Sequence, residues 1–478
     1  ENKLKTVAND NENIEINKEQ VHIPPPDGGW GWMVVFASLI ASLLSDGVIY
    51  SYGVLTPEFI KHYNLSRTTV GWMGSILVAT ALAVGPLASI LCKKLGYRVC
   101  GVIGSIIAAI SFSLPYFYSE LWFLILCSSV LCGIGFGLVY LPSIIIVNVW
   151  FDKKRSLAMG IAVCGSGLGT FVMSPLMEYL ISTFGWQLAM LVIGLILLLM
   201  IPCCMTYTNV KSKSLIEKEA ERNAMDSNDN TMSATECEKI EIPSNEGEYL
   251  MNKYGIGTNY TTECEIIQIP EETEQCEEKK SFIEMMKDFI FILFLLSNIL
   301  SSIGFNAPYM YAKDRAILQG MSDSKGSFLI SSIGIGSCIG RIGFGYLATF
   351  KFVNRFHLFN ATIVLSGVSL IASWIMTSYI SMIIYTLIFG MMGGAFVTLT
   401  SVILIDLFGL INVDTAFSIT LVVQGISVLV GPPIAGFIYD STLSYNVPFA
   451  ACGGCIALSG VIMYLAYFSK DFRKKTFK

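Results

Sequence analysis

Twelve separate runs of about twenty apolar residues constrain this chain more than any other feature. They cover residues 32–54, 70–91, 99–117, 121–147, 158–182 and 186–207. After a polar interval follow 289–312, 327–350, 358–377, 380–407, 415–438 and 447–468. A hydrocarbon core about 30 Å thick is crossed by about 20 helical residues. In lipid every backbone polar group must be bonded internally, so runs of this length are read as helices. The expected fold is an all-α membrane protein with 12 transmembrane helices. Composition agrees: 14% of residues are charged, against about 25% in soluble domains, and mean hydropathy is +0.62. A disordered chain, a nucleic-acid partner and a soluble multidomain enzyme are excluded on this balance.

Charge is distributed as unevenly as hydropathy. Residues 208–288 hold 19 of the 36 acidic and 9 of the 31 basic residues. That stretch is rich in Glu, Asn, Ser and Thr and poor in aromatics, so it is expected to be a disordered acidic loop. The organisation is therefore a tail at 1–29, a six-helix half at 30–207, the loop at 208–288, a second six-helix half at 289–469 and a tail at 470–478. The tails and the loops on their side of the membrane carry 25 basic residues. The opposite loops carry five: Lys61, Arg67, Lys313, Arg315 and Lys325. The positive-inside rule then places both termini in the cytoplasm.

The two halves share traces of duplication at a constant offset. Gly85 and Lys93 correspond to Gly343 and Lys351, and Gly167 and Pro175 to Gly425 and Pro433. Parallel repeats of this kind are a transporter design.

Three motifs carry a resemblance. Asp27-Gly28-Gly29-Trp30-Gly31-Trp32 follows three prolines and opens the first span. Trp150-Phe151-Asp152-Lys153-Lys154-Arg155-Ser156-Leu157-Ala158-Met159-Gly160 leads into the fifth. Gly431-Pro432-Pro433-Ile434-Ala435-Gly436 lies in the eleventh. Together they resemble the monocarboxylate transporter family of the major facilitator superfamily, across essentially the whole membrane portion. The resemblance implies that superfamily's fold of two six-helix halves around a central cavity. It also implies a plasma-membrane, multi-pass location and leaves room for a single-span accessory membrane protein. The motifs themselves read as structural: indole rings prefer the bilayer interface, and small residues let helices approach.

Transport chemistry is sought among polar residues deep in the spans. A charge near the bilayer centre costs about 2.5 kcal/mol or more unless paired or hydrated. Two such residues exist, Asp46 in span 1 and Arg341 in span 8. A guanidinium fork matches the two oxygens of a carboxylate, so Arg341 is the leading substrate-carboxylate residue. A purely structural Asp46–Arg341 pair is the competing reading. Asn298, Ser302 and Asn306 form a polar stripe on span 7, and Ser166, Thr170 and Ser174 one on span 5. Such stripes line a cavity or bond neighbouring helices. Glu178 and Asp440 are expected at the interface, and Asp406 at the terminal-side end of span 10.

The resemblance adds site residues. Arg341 matches the family's span 8 arginine, and Phe396 and Thr400 match an aromatic and a hydroxyl residue lining its site. Where its proton-coupled lactate carriers have a lysine in span 1, this chain has Tyr50. Where they have an aspartate one turn before the arginine, it has Ser337. Asp46, one turn before Tyr50, is the candidate proton-coupling residue, and a bound cationic substrate group would explain it equally well. The candidate substrate-binding set is Arg341, Phe396, Thr400, Tyr50, Asn298 and Ser302.

Nothing points to catalysis, cofactor or metal: there is no phosphate-binding loop, and His22, His62 and His357 show no metal spacing. The expectation is a secondary or facilitative transporter of monocarboxylates or related small organic carboxylates, by alternating access, with proton symport open. Within the class, the alternative is a facilitator of aromatic amino acids or similar zwitterionic solutes. From another class, it is a non-transporting sensor or scaffold on a transporter fold, whose signature would be an apolar cavity.

Overall fold

Among the described residues, twelve helices are long and apolar enough to cross a bilayer. They were obtained from a computed structural model that describes residues 28–151, 154–208, 282–350 and 353–468. The first half comprises α1 (Trp30–Val54), α2 (Arg67–Cys92), α3 (Tyr97–Tyr116), α4 (Leu121–Trp150), α5 (Leu157–Phe184) and α6 (Trp186–Met205). The second comprises α7 (Phe289–Leu318), α8 (Asp323–Leu347), α9 (Arg355–Ile375), α10 (Tyr379–Gly409), α11 (Thr415–Thr442) and α12 (Asn446–Leu465). No strand occurs among the described residues. The terminal tails and nearly all of the acidic loop expected at 208–288 lie outside the described residues. So do Asp27, Asp152, Lys153 and Lys351. At the loop's far margin, Phe282–Met285 forms one helical turn.

Two helices outrun the apolar stretches that announced them. The seventh run ends at 312 and the eighth begins at 327, yet α7 continues to Leu318 and α8 starts at Asp323. Lys313, Asp314 and Arg315 end the hydropathic run because they are charged. They do not end the helix, because all three are buried and bonded inside the bundle. A break does occur between α10 and α11, where Gly409 adopts φ 74°, a conformation glycine reaches at no steric cost.

Small residues set the helix crossings. A Cβ on Gly47 of α1 would lie 2.9 Å from the Gly169 backbone of α5. A Cβ on Gly167 would lie 2.8 Å from the Gly334 carbonyl and the Cys338 amide of α8. Helix α5 of the first half thus packs on α8 of the second, and α11 of the second packs on α2 of the first through Gly71 and Gly425. Advancing six helices turns one crossing into the other, as a parallel duplication requires. Pro142 inside α4 has no N–H for the Leu138 carbonyl, and the Cys100 thiol donates to that oxygen instead, at 3.6 Å.

The first two family motifs meet where the chain enters the bundle. Trp32 packs edge to face on Phe151, with ring centres 5.0 Å apart. The indole N–H of Trp30 donates to the Thr206 carbonyl at 3.2 Å, and that of Trp150 to Thr208 at 3.1 Å. These indoles tie the start of α1 and the end of α4 to the segment just after α6.

Candidate functional site

Between the halves lies a cleft with about 890 Å³ of unoccupied space, its mouth included. Helix α1 contributes Asp46, Ile49 and Tyr50, and α4 contributes Phe136 and Tyr140. From the second half come Ser302, Phe305 and Asn306 of α7, Arg341 of α8, Phe396 of α10 and Gln424 of α11. The walls are mostly aromatic and aliphatic, with a few polar groups, the usual make-up of a small-molecule site.

Asp46 and Arg341 face this cleft from opposite halves. Arg341 is 5% exposed. Its Nε donates to Ser337 Oγ at 3.3 Å, and one Nη donates across the interface to the Val163 carbonyl at 2.9 Å. Ser337 thus occupies, next to the guanidinium, the position where the resembling carriers have an aspartate. A neutral hydroxyl there leaves the positive charge uncancelled. Asp46 is half-buried. Among the described residues the ion pairs are Arg67–Asp314, Glu178–Lys313 and Arg355–Asp406. Asp46 and Arg341 do not form one, so the competing reading of a purely structural pair finds no ion pair here. Tyr50 packs against Tyr309 of α7 with ring centres 4.7 Å apart and planes tilted by 38°.

Of the sequence-derived candidates, Asp46, Tyr50, Ser302, Arg341 and Phe396 share the cleft. Thr400 and Asn298 are not among its lining residues. Thr400 lies one turn beyond Phe396 and spends its hydroxyl on the Phe396 carbonyl, at 2.8 Å. Asn298 stands behind Gln424, whose Nε2 donates to Asn298 Oδ1 at 2.8 Å. None of the span 5 stripe is among the cleft's lining residues, and Ser174 Oγ donates to the Ser327 carbonyl of α8 at 2.8 Å. Gln424 and Tyr140 were missed, since a single amide or phenol in an apolar run carries no pattern.

The end of the bundle remote from the termini is closed by polar contacts between the halves. Lys313 Nζ reaches Glu178 Oε2 at 2.5 Å and the Val54 carbonyl at 3.1 Å. Ser327 Oγ donates to the same Glu178 oxygen at 2.8 Å. Arg67 Nε pairs with Asp314 at 2.7 Å, and the Tyr445 hydroxyl donates to that carboxylate too. Asp440 of α11 accepts from the Arg67 and Thr68 amides at 3.2 and 3.1 Å, capping the N-terminus of α2 with a carboxylate, as the helix dipole favours. Glu178, expected at the interface, is instead buried. Asp406 does lie at the other end of α10, 3.1 Å from Arg355.

Two inward-packed halves, a central cleft and a closure at one end are the parts of an alternating-access carrier. A sequence model of the Major Facilitator Superfamily matches residues 38–356 and 282–478. The chain belongs to the Major Facilitator Superfamily. Within it, the chain is 28% identical to mouse Monocarboxylate transporter 12 over 92% of its own length and 86% of that protein. It is 25% identical to human Monocarboxylate transporter 7 over 94% and 88%, and 28% identical to chicken Monocarboxylate transporter 3 over 95% and 81%. Superfamily membership makes this a multi-pass transporter-fold protein of the lipid bilayer, with a small molecule as its cargo.

Proposed function

We propose that this protein carries small organic carboxylates that also bear a cationic group, by alternating access between its two halves. One observation carries the reading: an unpaired guanidinium and an unpaired carboxylate, Arg341 and Asp46, face the same cleft from opposite halves. Buried charges are kept only where something compensates them, and a solute with both signs compensates both. Arg341 binds the carboxylate and Asp46 the cationic group. Phe396, Tyr50 and Ser302 shape the space between. The retained charges argue against a non-transporting scaffold. With both termini cytoplasmic, as the basic residues indicate, the closed end faces outward and the cleft is approached from inside. The names of the relatives support a carboxylate cargo.

The test is a radiolabelled uptake panel of anionic and zwitterionic carboxylates, with and without an imposed pH gradient. Uptake of zwitterions that falls in Arg341→Ala and Asp46→Asn is the expected result. If Arg341→Ala transports carboxylates as well as wild type, the reading is wrong. If plain anions are taken up only with a pH gradient, and Asp46→Asn removes that dependence, Asp46 holds a proton instead of a substrate cation.

A further inference from the structure

Helices α7 and α11 share a pair of side-chain amides whose orientation is fixed by chemistry. The Nδ2 of Asn298 donates to the Phe294 carbonyl, one turn back on α7, at 2.9 Å. A carbonyl can only accept, so the atom at that position must be nitrogen. The oxygen of Asn298 therefore points the other way, toward Gln424, and accepts from Gln424 Nε2 at 2.8 Å. Gln424 is then fixed in turn: its nitrogen is turned to α7 and its oxygen Oε1 is left over. That oxygen takes no hydrogen bond among the described residues and is not among the buried unpartnered atoms. Gln424 lines the cleft, while Asn298 is wholly buried.

We propose that Gln424 presents a fixed hydrogen-bond acceptor to the substrate, selecting cationic groups that carry N–H donors, with Asn298 as its positioning residue. The proposal rests on the zwitterion reading above and deepens it. Asp46 recognises charge, which a quaternary ammonium carries as fully as a primary one. An amide oxygen recognises a donor, which a primary ammonium, a guanidinium or an amidinium offers and a quaternary ammonium does not. A site built around a fixed acceptor disfavours ligands that cannot satisfy it. Without the Asn298 relay the Gln424 amide could rotate and present N–H instead, which repels an N–H donor.

The experiment uses the purified full chain and straight-chain ω-amino acids from glycine to 6-aminohexanoate, each matched with its trimethylammonio counterpart. Apparent affinities come from ligand-induced thermal stabilisation. For the chain length that binds best, the preference of wild type for the N–H-bearing member falls about tenfold in Gln424→Leu, the low end for one hydrogen bond from a charged donor. Asn298→Leu lowers the same ratio, and the double variant lowers it no further than Gln424→Leu, because Asn298 acts through Gln424. Asp46→Asn weakens both members together. A ratio unchanged in Gln424→Leu overturns the acceptor assignment. Additive losses in the double variant overturn the positioning role of Asn298 and leave it a packing contact. Failure of the underlying reading looks different: Arg341→Ala would then bind both members as wild type does.

Discussion

The closed end of the bundle and the central cleft are both built from charged residues inside a membrane protein, and they treat charge in opposite ways. At the closed end three carboxylates find donors from the other half: Glu178 with Lys313, Asp314 with Arg67, Asp440 with the α2 amides. In the cleft, Asp46 and Arg341 come from opposite halves and yet do not pair. The first arrangement holds two halves together in one state. The second leaves charge available to something that comes and goes. Position in a span does not separate the two roles; the presence of a partner does.

The sharpest way to break this comparison is to unpair the closure. Lys313→Met leaves Glu178 buried without its cation, which costs about 3–5 kcal/mol when one partner of a buried pair is removed. A large drop in melting temperature of the purified protein is expected. Glu178→Gln combined with Lys313→Met removes both charges and recovers most of the loss. If the single and double variants melt alike, the pair is not the element holding that end shut.

Removing charge from the cleft produces the next largest effect, on transport instead of stability. Arg341→Ala deletes the carboxylate contact, and losing a buried, hydrogen-bonded charge contact costs about 2–5 kcal/mol of binding, or roughly a hundredfold in uptake efficiency. Its melting temperature falls far less than that of Lys313→Met, because Arg341 has no carboxylate partner to orphan. A melting loss equal to that of the closure variant would show that Arg341 is structural after all.

The sequence could show half of this contrast. The twelve spans were legible because lipid demands about twenty apolar residues from each. Asp46 and Arg341 were legible because each stands alone in such a run. Lys313 and Glu178 were not. The first ended an apolar run and resembled loop, and the second sat near a helix end. Only the crossing of α5 with α8, and the extension of α7 to Leu318, brings them together. Asn298 shows the same limit in reverse. The stripe Asn298, Ser302, Asn306 identified the inward face of α7, but periodicity cannot say that Gln424 of α11 stands between one of its members and the cleft.

Asp46→Asn comes next in size. It keeps the shape of the side chain and removes the charge that the cationic end of the substrate meets. Uptake of a zwitterionic carboxylate falls about tenfold, the worth of one charged hydrogen bond, while uptake of a plain carboxylate without a cationic group is unchanged or improved. Competition between the two cargos in the same vesicles reads the difference directly. Equal loss for both cargos would sever Asp46 from substrate recognition.

The smallest effect belongs to a pair that resembles the closure in chemistry but not in setting. Arg355 and Asp406 approach to 3.1 Å, with side chains 45% and 32% exposed, and both lie in the second half. Water screens such a pair, and ordering two side chains offsets much of its attraction, so exposed pairs are worth about 0–1 kcal/mol. The pair also bridges no moving boundary. Asp406→Asn should therefore change the melting temperature by a degree or two and leave uptake within twofold of wild type. A loss approaching that of Lys313→Met would mean that Asp406 meets a partner from the first half in another state of the cycle. The rule that only cross-half pairs hold a state would then extend to the terminal end, with the two ends closing by the same chemistry in alternation.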